Sequence, residues 1–318
     1  MTLYTSIQKV ILLKFTFSTL LFILSLVIFP YYTEGDQKIY REVYKSLPDF
    51  DFLDGYFFYT LTLTSKEIGH FFLSWLASPY VNQNIFIAIF NGIFAYAILS
   101  LFQKWGASFP ISVTILFTNY YLLVLYFPAE RLKFGILFLV LSLININSKK
   151  FFIFFFLSLI CHVQTIVLYF SFFLNYLVKN FTNKHLLKII FVFPFFLTIP
   201  IYLMGDQILH KYKIFSDQGG IVGMWKAAVF CLLSMYYSKD KVETIVLFSV
   251  LLIVIFLVGG FRVNIFGYFL FLYYGLQFNG GRNFGVAITS VYYAYGSMIL
   301  ITNIIQYGSA YLIDGTRY

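Results

Sequence analysis

Long apolar runs are the feature of this chain that most restricts how it can fold. The first run, residues 10–29, holds a single charged side chain, Lys14, and a membrane-spanning helix uses about 20 apolar residues. A lipid-exposed backbone must satisfy its own hydrogen bonds, so we expect these runs to be helices. The predicted spans are residues 10–30, 83–103, 109–127, 132–148, 186–203, 222–238, 243–258, 263–278 and 284–305.

The composition excludes a water-soluble globular protein. Hydrophobic residues make up 60% of the 318 positions and charged residues 11%, whereas an ordinary soluble domain is about 25% charged. The 42 Phe, 27 Tyr and 3 Trp side chains together have more apolar surface area than the core of a soluble protein of this length could bury. We therefore expect an all-α, polytopic helical bundle of about ten or eleven spans, forming a single transmembrane domain over residues 1–318.

The distribution of the net charge of +9 indicates which loops lie on which side of the membrane. Most lysines fall in loops that we assign to the cytoplasmic face, as the positive-inside rule expects. The lipid bilayer is therefore the expected partner, and a nucleic-acid partner is not supported. The first apolar run is too long for a signal-peptide core and lacks a small-residue cleavage site, so we interpret it as a retained span.

The apolar run at 151–178 is too long for one upright helix. At about 1.5 Å per residue it would measure about 42 Å, against a hydrocarbon core of about 30 Å. It is therefore either strongly tilted or broken near a central polar group formed by Cys161, His162, Gln164 and Thr165. Lysines flank the run on both sides, at positions 149, 150, 179, 184 and 188. This pattern favours a short or re-entrant hairpin with both ends in the cytoplasm.

The segment 31–82, between the first two spans, is predicted to be a long helical outer loop, periplasmic or interfacial. Asp36 is expected to cap a helix on which Tyr40 and Tyr44 share one face, and Pro48 is expected to end that helix. Residues 56–78 are apolar but include charged side chains, so we expect them to lie along the membrane interface or to dip into the protein.

Two arginines are candidate functional residues because each stands at the predicted outer end of a span. Arg131 follows Glu130, and Arg262 follows two glycines that permit close backbone approach. A charge at such a position is costly unless it is paired or lines water. Two guanidinium groups could bind a diphosphate bidentately. The alternative for Arg131 is an interfacial side chain paired with Glu130 or with lipid phosphate.

His162 is the candidate general base, since an imidazole exchanges protons near neutral pH. The alternative is a hydrogen-bonding residue that serves helix packing. Glu67 and Asp36 are further candidates, although Glu67 could simply be an interfacial carboxylate beside Lys66 and Asp36 simply a helix cap.

Metal chemistry has little support in the sequence. Asp49 and Asp51 form a D-x-D pattern, but Pro48 and the Asp54-Gly55 pair around it favour a turn-rich acidic loop. No group of His, Cys and carboxylates has metal-ligand spacing, and no nucleotide-binding or nucleophile-elbow motif is present. We expect neither a metal nor another cofactor.

The order of these motifs resembles the EpsG-like branch of the Wzy polysaccharide polymerases. The resemblance covers most of the chain. Its elements, in chain order, are a first span, G-D-x-x-x-Y at Gly35, Asp36 and Tyr40, K-E-I-G-H-F-F at residues 66–72, Arg131 heading a span, Cys161-His162 within a span, and G-F-R ending at Arg262.

This resemblance implies an enzyme of the bacterial inner membrane with its active site on the periplasmic face. Such a polymerase joins undecaprenyl-diphosphate-linked oligosaccharide repeat units of O-antigen, capsule or exopolysaccharide, and a chain-length regulator is a candidate partner. On this hypothesis Arg131 and Arg262 stabilise charge on the diphosphate leaving group, and His162, or else Glu67 or Asp36, deprotonates the acceptor hydroxyl. The resemblance also implies that Tyr40 and Tyr44 stack on sugar faces.

Three other functions remain open from the sequence. One is a GT-C-type, polyprenyl-dependent glycosyltransferase that adds a single sugar and uses Asp49 and Asp51 with a metal. Another is a flippase or transporter of the lipid-linked unit, which usually shows internal repeats that we do not find here. The third is an outer-face acyltransferase that pairs His with Arg.

Overall fold

The computed structural model describes residues 2–179, 221–260 and 262–311, and their regular structure is entirely helical. These residues fall into two compact units, Met1–His162 with Val286–Tyr318, and Val163–Gly285. The predicted span at 186–203 lies outside the described residues.

The first unit contains the helices that carry most of the candidate residues. Helix α1 packs along α5, α8 packs on both α5 and α9, and the short helices α2, α3 and α4 lie between α1 and α5 in the chain. Its helices are α1 (Thr2–Ile28), α2 (Asp36–Ser46), α3 (Phe52–Leu63), α4 (Ile68–Ala77), α5 (Gln83–Lys104), α6 (Phe109–Thr118), α7 (Tyr120–Tyr126), α8 (Glu130–Ile144), α9 (Lys150–Cys161) and α14 (Phe284–Tyr307), of which Val286 onward belongs to this unit.

The second unit is also built of apolar helices. Helix α11 packs against both α12 and α13, and α10 packs against α12. Its helices are α10 (Ile166–Lys179), α11 (Ile221–Tyr237), α12 (Lys241–Val258) and α13 (Val263–Gln277). The backbone of Gly260 lies against that of Gly223, because a Cβ on Gly260 would stand 2.5 Å from the Gly223 carbonyl oxygen. The close approach predicted beside Arg262 is therefore present.

The apolar helices are those of a membrane-embedded protein. Among the described residues, three helical segments are long and apolar enough to cross a bilayer, namely Gln8–Tyr31, Gln83–Lys104 and Phe284–Tyr307. A fourth is added if α6 and α7 together form one bent span. The predicted total of ten or eleven spans and the single transmembrane domain stay predictions.

The run 109–127 is not the single straight helix that the sequence predicts. Helices α6 and α7 meet at Asn119 with a bend of 61°. The Asn119 side chain accepts a hydrogen bond from the Leu122 backbone N–H and so caps α7, while the Ser297 hydroxyl donates to the Thr118 carbonyl oxygen at 2.7 Å. Side chains thus satisfy backbone groups that the bend releases.

The break expected near the middle of 151–178 is present. Helix α9 ends at Cys161, His162 has an extended backbone with φ −161° and ψ 112°, and a short 3₁₀ turn, Val163–Thr165, precedes α10. The hairpin orientation and the cytoplasmic position of both ends stay predictions.

The segment 31–82 is helical as expected, with one correction at its start. Helix α2 begins at Asp36, but its N-cap residue is Gly35, with φ of 64°. Asp36 is exposed in the first turn, where its charge suits the helix dipole. The helix ends at Ser46, before a 3₁₀ turn that contains Pro48, as predicted.

Candidate functional site

Seven polar residues that are distant in sequence meet inside the first unit. We call them the buried polar cluster. They come from α2, α4, α8 and the residues that flank α4 and α9, and they are Gln37, Tyr40, Glu67, His70, Glu130, Arg131 and His162.

The Glu67 carboxylate joins Arg131 to His162. Its Oε2 lies 3.1 Å from Arg131 Nη1, and its Oε1 lies 2.5 Å from His162 Nδ1. The Ser65 hydroxyl also donates to Oε2, at 3.0 Å. The side chain of Glu67 is fully buried and that of His162 is 1% exposed. A carboxylate this deeply buried requires such charged and hydrogen-bonding partners, because desolvation alone would be costly.

A glycine brings these two groups together. Gly69, in the first turn of α4, faces the end of α9, where a Cβ would stand 2.6 Å from Cys161 Sγ and 3.0 Å from the Cys161 backbone nitrogen. Only glycine permits this approach. Because Glu67 immediately precedes α4 and His162 immediately follows α9, the close packing at Gly69 places both residues at the same point.

Arg131 is held on its other side by Tyr40. Arg131 Nε donates to the Tyr40 hydroxyl at 2.8 Å, and the guanidinium carbon lies 5.7 Å from the centre of the Tyr40 ring. The Arg131 side chain is 14% exposed, whereas the ionisable side chains of Glu67, His70, Glu130 and His162 are at most 3% exposed. Arg131 is therefore the charged member of the cluster that reaches the protein surface.

A second carboxylate–imidazole pair lies beside the first. His70 Nε2 stands 3.3 Å from Glu130 Oε1, and Gln37 Nε2 donates to Glu130 Oε2 at 3.0 Å. The Tyr59 hydroxyl lies 2.9 Å from His70 Nδ1. Burial raises the pKa of the Tyr59 phenol, so its hydroxyl keeps a proton to donate to Nδ1, and Nε2–H can then donate to Glu130.

The two pairs follow one pattern. Glu130 and Arg131, the first two residues of α8, each contact one residue of α2 and one residue of, or next to, α4. Glu130 contacts Gln37 and His70, whereas Arg131 contacts Tyr40 and Glu67. The partners on each segment are three positions apart, which places them on one face of a helix.

A buried lysine continues the polar residues into the bundle. Lys133 is completely buried, and its ammonium donates to Asn91 Oδ1 at 2.8 Å. The Asn91 amide donates in turn to the Ser25 hydroxyl and to the Tyr126 carbonyl oxygen, each at 3.0 Å. This network ties α8 to α5 and α1.

The structure brings together four of the seven residues singled out from the sequence, namely Tyr40, Glu67, Arg131 and His162. The alternative of Glu67 as an interfacial carboxylate beside Lys66 is wrong, because the side chain is buried and bound on three sides. The alternative of Arg131 paired with Glu130 is also wrong, since Arg131 pairs with Glu67.

The other three lie elsewhere. Asp36 is exposed at the start of α2. Tyr44 is buried, with its ring 5.5 Å from that of Phe86 and its hydroxyl donating to the Val81 carbonyl oxygen at 2.9 Å. Arg262 belongs to the second unit, just before α13.

Sequence reasoning did not identify Gln37, His70, Glu130 or Lys133 as site residues. Sequence spacing could have found two of them. His70 is three positions after Glu67, and Gln37 is three positions before Tyr40, so each shares a helix face with a residue that was identified.

The first turn of α3 is capped by a residue of the D-x-D pattern. Asp51 is the N-cap of α3, and its carboxylate accepts a hydrogen bond from the Asp54 backbone N–H at 2.9 Å. Within the described ranges, no group of three or more His, Cys, Asp or Glu side chains could hold a metal ion.

Comparison of the chain with models of known families, with curated proteins and with solved structures yields no match.

Proposed function

We propose that this chain is a glycosyltransferase that joins undecaprenyl-diphosphate-linked oligosaccharide repeat units on the periplasmic face of the bacterial inner membrane. The observation that supports this proposal most is the bridge from Arg131 through Glu67 to His162. These residues come from three separate elements of the resemblance to the EpsG-like Wzy polymerases, and Tyr40, from a fourth, contacts Arg131.

Arg131 would receive the charge of the leaving group. It is the charged residue of the cluster that reaches the surface, and a guanidinium binds phosphate oxygens in a bidentate manner. Glu67 and Tyr40 fix the side chain before substrate arrives, which is the preorganisation that electrostatic catalysis requires. The diphosphate-binding role assigned to Arg262 from the sequence stays a prediction.

His162 would act as the general base. With Nδ1 turned to the Glu67 carboxylate, Nε2 is the nitrogen that would take the proton, as in other carboxylate–imidazole pairs. The acceptor oxygen forms a bond to the anomeric carbon of the growing chain, and the bond from that carbon to the diphosphate oxygen breaks. The proton passes to His162, and the electron pair leaves on the lipid diphosphate. Since His162 is 1% exposed, substrate binding has to open a path to it.

A strain that lacks this chain's own gene tests the proposal. The deletion should leave one repeat unit on the lipid-linked acceptor, and the wild-type chain should restore a ladder of longer products. Arg131→Ala and His162→Ala should each fail to restore the ladder while inserting at the wild-type level. Tyr80→Phe is a control, because Tyr80 is 83% exposed.

The other outcomes separate the competing functions. Loss of a single sugar rather than of the ladder would indicate the single-sugar glycosyltransferase, and accumulation of the unit on the cytoplasmic side would indicate a flippase. Either result would overturn the proposal. A normal ladder from Arg131→Ala or His162→Ala would remove that residue from the mechanism.

A further inference from the structure

Glu130 does not pair with the cation nearest to it in the sequence. It is a buried carboxylate adjacent to Arg131 in the sequence, yet Arg131 pairs with Glu67. Glu130 also has Lys133 three positions further on, which is on the same face of α8. A buried carboxylate attracts any cation within reach, so something must hold Glu130 away from Arg131.

His70 and Gln37 occupy the two oxygens of Glu130. His70 Nε2 is on Oε1 and Gln37 Nε2 is on Oε2, while Tyr59 orients the imidazole from its other nitrogen. Lys133 is meanwhile bound to Asn91. Because donors from α2 and α4 bind both of its oxygens, the Glu130 carboxylate is satisfied without an ion pair to Arg131.

We propose that His70 is a positioning residue, which by binding Glu130 commits Arg131 to Glu67 and thereby fixes the Glu67–His162 pair. Loss of the imidazole would leave a buried carboxylate short of a donor beside two cations. Glu130 would then draw Arg131 or Lys133 toward itself. Either movement displaces the first turn of α8 and separates Arg131 from Glu67.

The decisive test is a suppressor. His70→Leu should lower the rate of polymerisation by about tenfold or more, because a displacement of about 1 Å at a reacting centre costs up to about 100-fold. His70→Gln should retain most of the rate, since its amide can still donate to Glu130. His70→Leu combined with Glu130→Gln should recover most of the loss, because the carboxylate that misdirects Arg131 is gone.

The introduced amide at position 130 has a partner available. Gln37 Oε1 makes no hydrogen bond within the described part of the chain, so rotation of the Gln37 amide lets that oxygen accept from the new side chain. Leu76→Ala is the matched control on α4, where Leu76 is 51% exposed, and it should behave as wild type.

A second measurement does not depend on activity. The chain has four histidines, so ¹⁵N-histidine labelling of the purified protein gives few signals, and His162→Asn identifies that of His162. The His162 signal should shift in His70→Leu, and it should return toward its wild-type position in His70→Gln and in the double variant.

The activity measurements rest on the proposed function, whereas the His162 signals do not. The two inferences can therefore fail separately. A wild-type protein that does not polymerise repeat units refutes the proposed function, while the His162 signals still decide the role of His70. A wild-type His162 signal in His70→Leu overturns the inference. So does a folded double variant that remains as impaired as His70→Leu, because His70 would then act other than through Glu130.

Discussion

Replacing Gly69 by alanine should separate Glu67 from His162 while changing neither residue. The new Cβ would stand 2.6 Å from Cys161 Sγ, whereas non-bonded heavy atoms pack at about 3.5–4.0 Å. Helix α4 must therefore retreat from α9 by about 1 Å. Such overpacking costs about 1–3 kcal/mol of stability, and the displacement of Glu67 should lower the polymerisation rate by about 100-fold.

The sulfur atom accounts for only part of this contact. Cys161→Ala removes Sγ but leaves the Cys161 nitrogen and the Ile160 carbonyl carbon, each 3.0 Å from the new Cβ. The double variant Gly69→Ala/Cys161→Ala should therefore regain part of the activity and part of the thermal stability. The control is Gly267→Ala, where the nearest atom lies at an ordinary 3.6 Å.

Two assays follow the change separately. Thermal unfolding in detergent reports the stability, and the length distribution of the polysaccharide in a complemented deletion strain reports the activity. Gly69→Ala with a normal ladder at a normal protein level would refute the reasoning, because the contact between α4 and α9 would then not control the site.

Three further predictions follow from individual contacts. Tyr40→Phe keeps the ring but removes the hydroxyl that accepts from Arg131, so polymerisation should fall about tenfold to 100-fold, as expected for a hydrogen bond to a charged group, and an unchanged rate would exclude Tyr40 from the site. Asn91→Ala removes the acceptor of buried Lys133, so the protein should lose about 1–3 kcal/mol of stability or more in thermal unfolding, and adding Lys133→Met should restore part of it; a double variant less stable than Asn91→Ala would contradict this. EDTA should leave polymerisation by the purified protein unchanged because Asp51 is a helix cap, and a chelator-sensitive rate restored by a divalent cation would contradict that assignment.

The identity of the site residues was more predictable than their pairing. An arginine at the end of a span, a histidine at a helix break and a glutamate in an apolar segment stand out because charge is costly in such places. The sequence cannot tell which carboxylate Arg131 meets, because Glu130 is its neighbour in the chain whereas Glu67 becomes its neighbour only because α4 and α8 both pack on α9. His70 was missed because its partner Glu130 is 60 positions away in the chain and meets it only through helix packing.

The helix breaks differ in how visible they are from sequence. The break at His162 is indicated by length together with charge, since 28 apolar residues must either tilt or break to fit a bilayer and the lysines at both ends favour a broken hairpin. The bend at Asn119 does not, because 109–127 has the length of one straight span. Its signal is a single capping residue within an apolar run, and the compensating contact comes from Ser297, far along the chain. The N-cap of α2 is likewise Gly35 rather than Asp36, because that position requires a positive φ.

The most direct test of the central claim is polymerisation by the purified protein with synthetic undecaprenyl-diphosphate-linked repeat units, comparing wild type with Glu67→Gln. We expect a ladder of products from wild type and a loss of about 100-fold or more from Glu67→Gln, because the amide no longer supplies the charge shared by Arg131 and His162. Equal ladders from the two proteins, or no ladder from wild type, would contradict it.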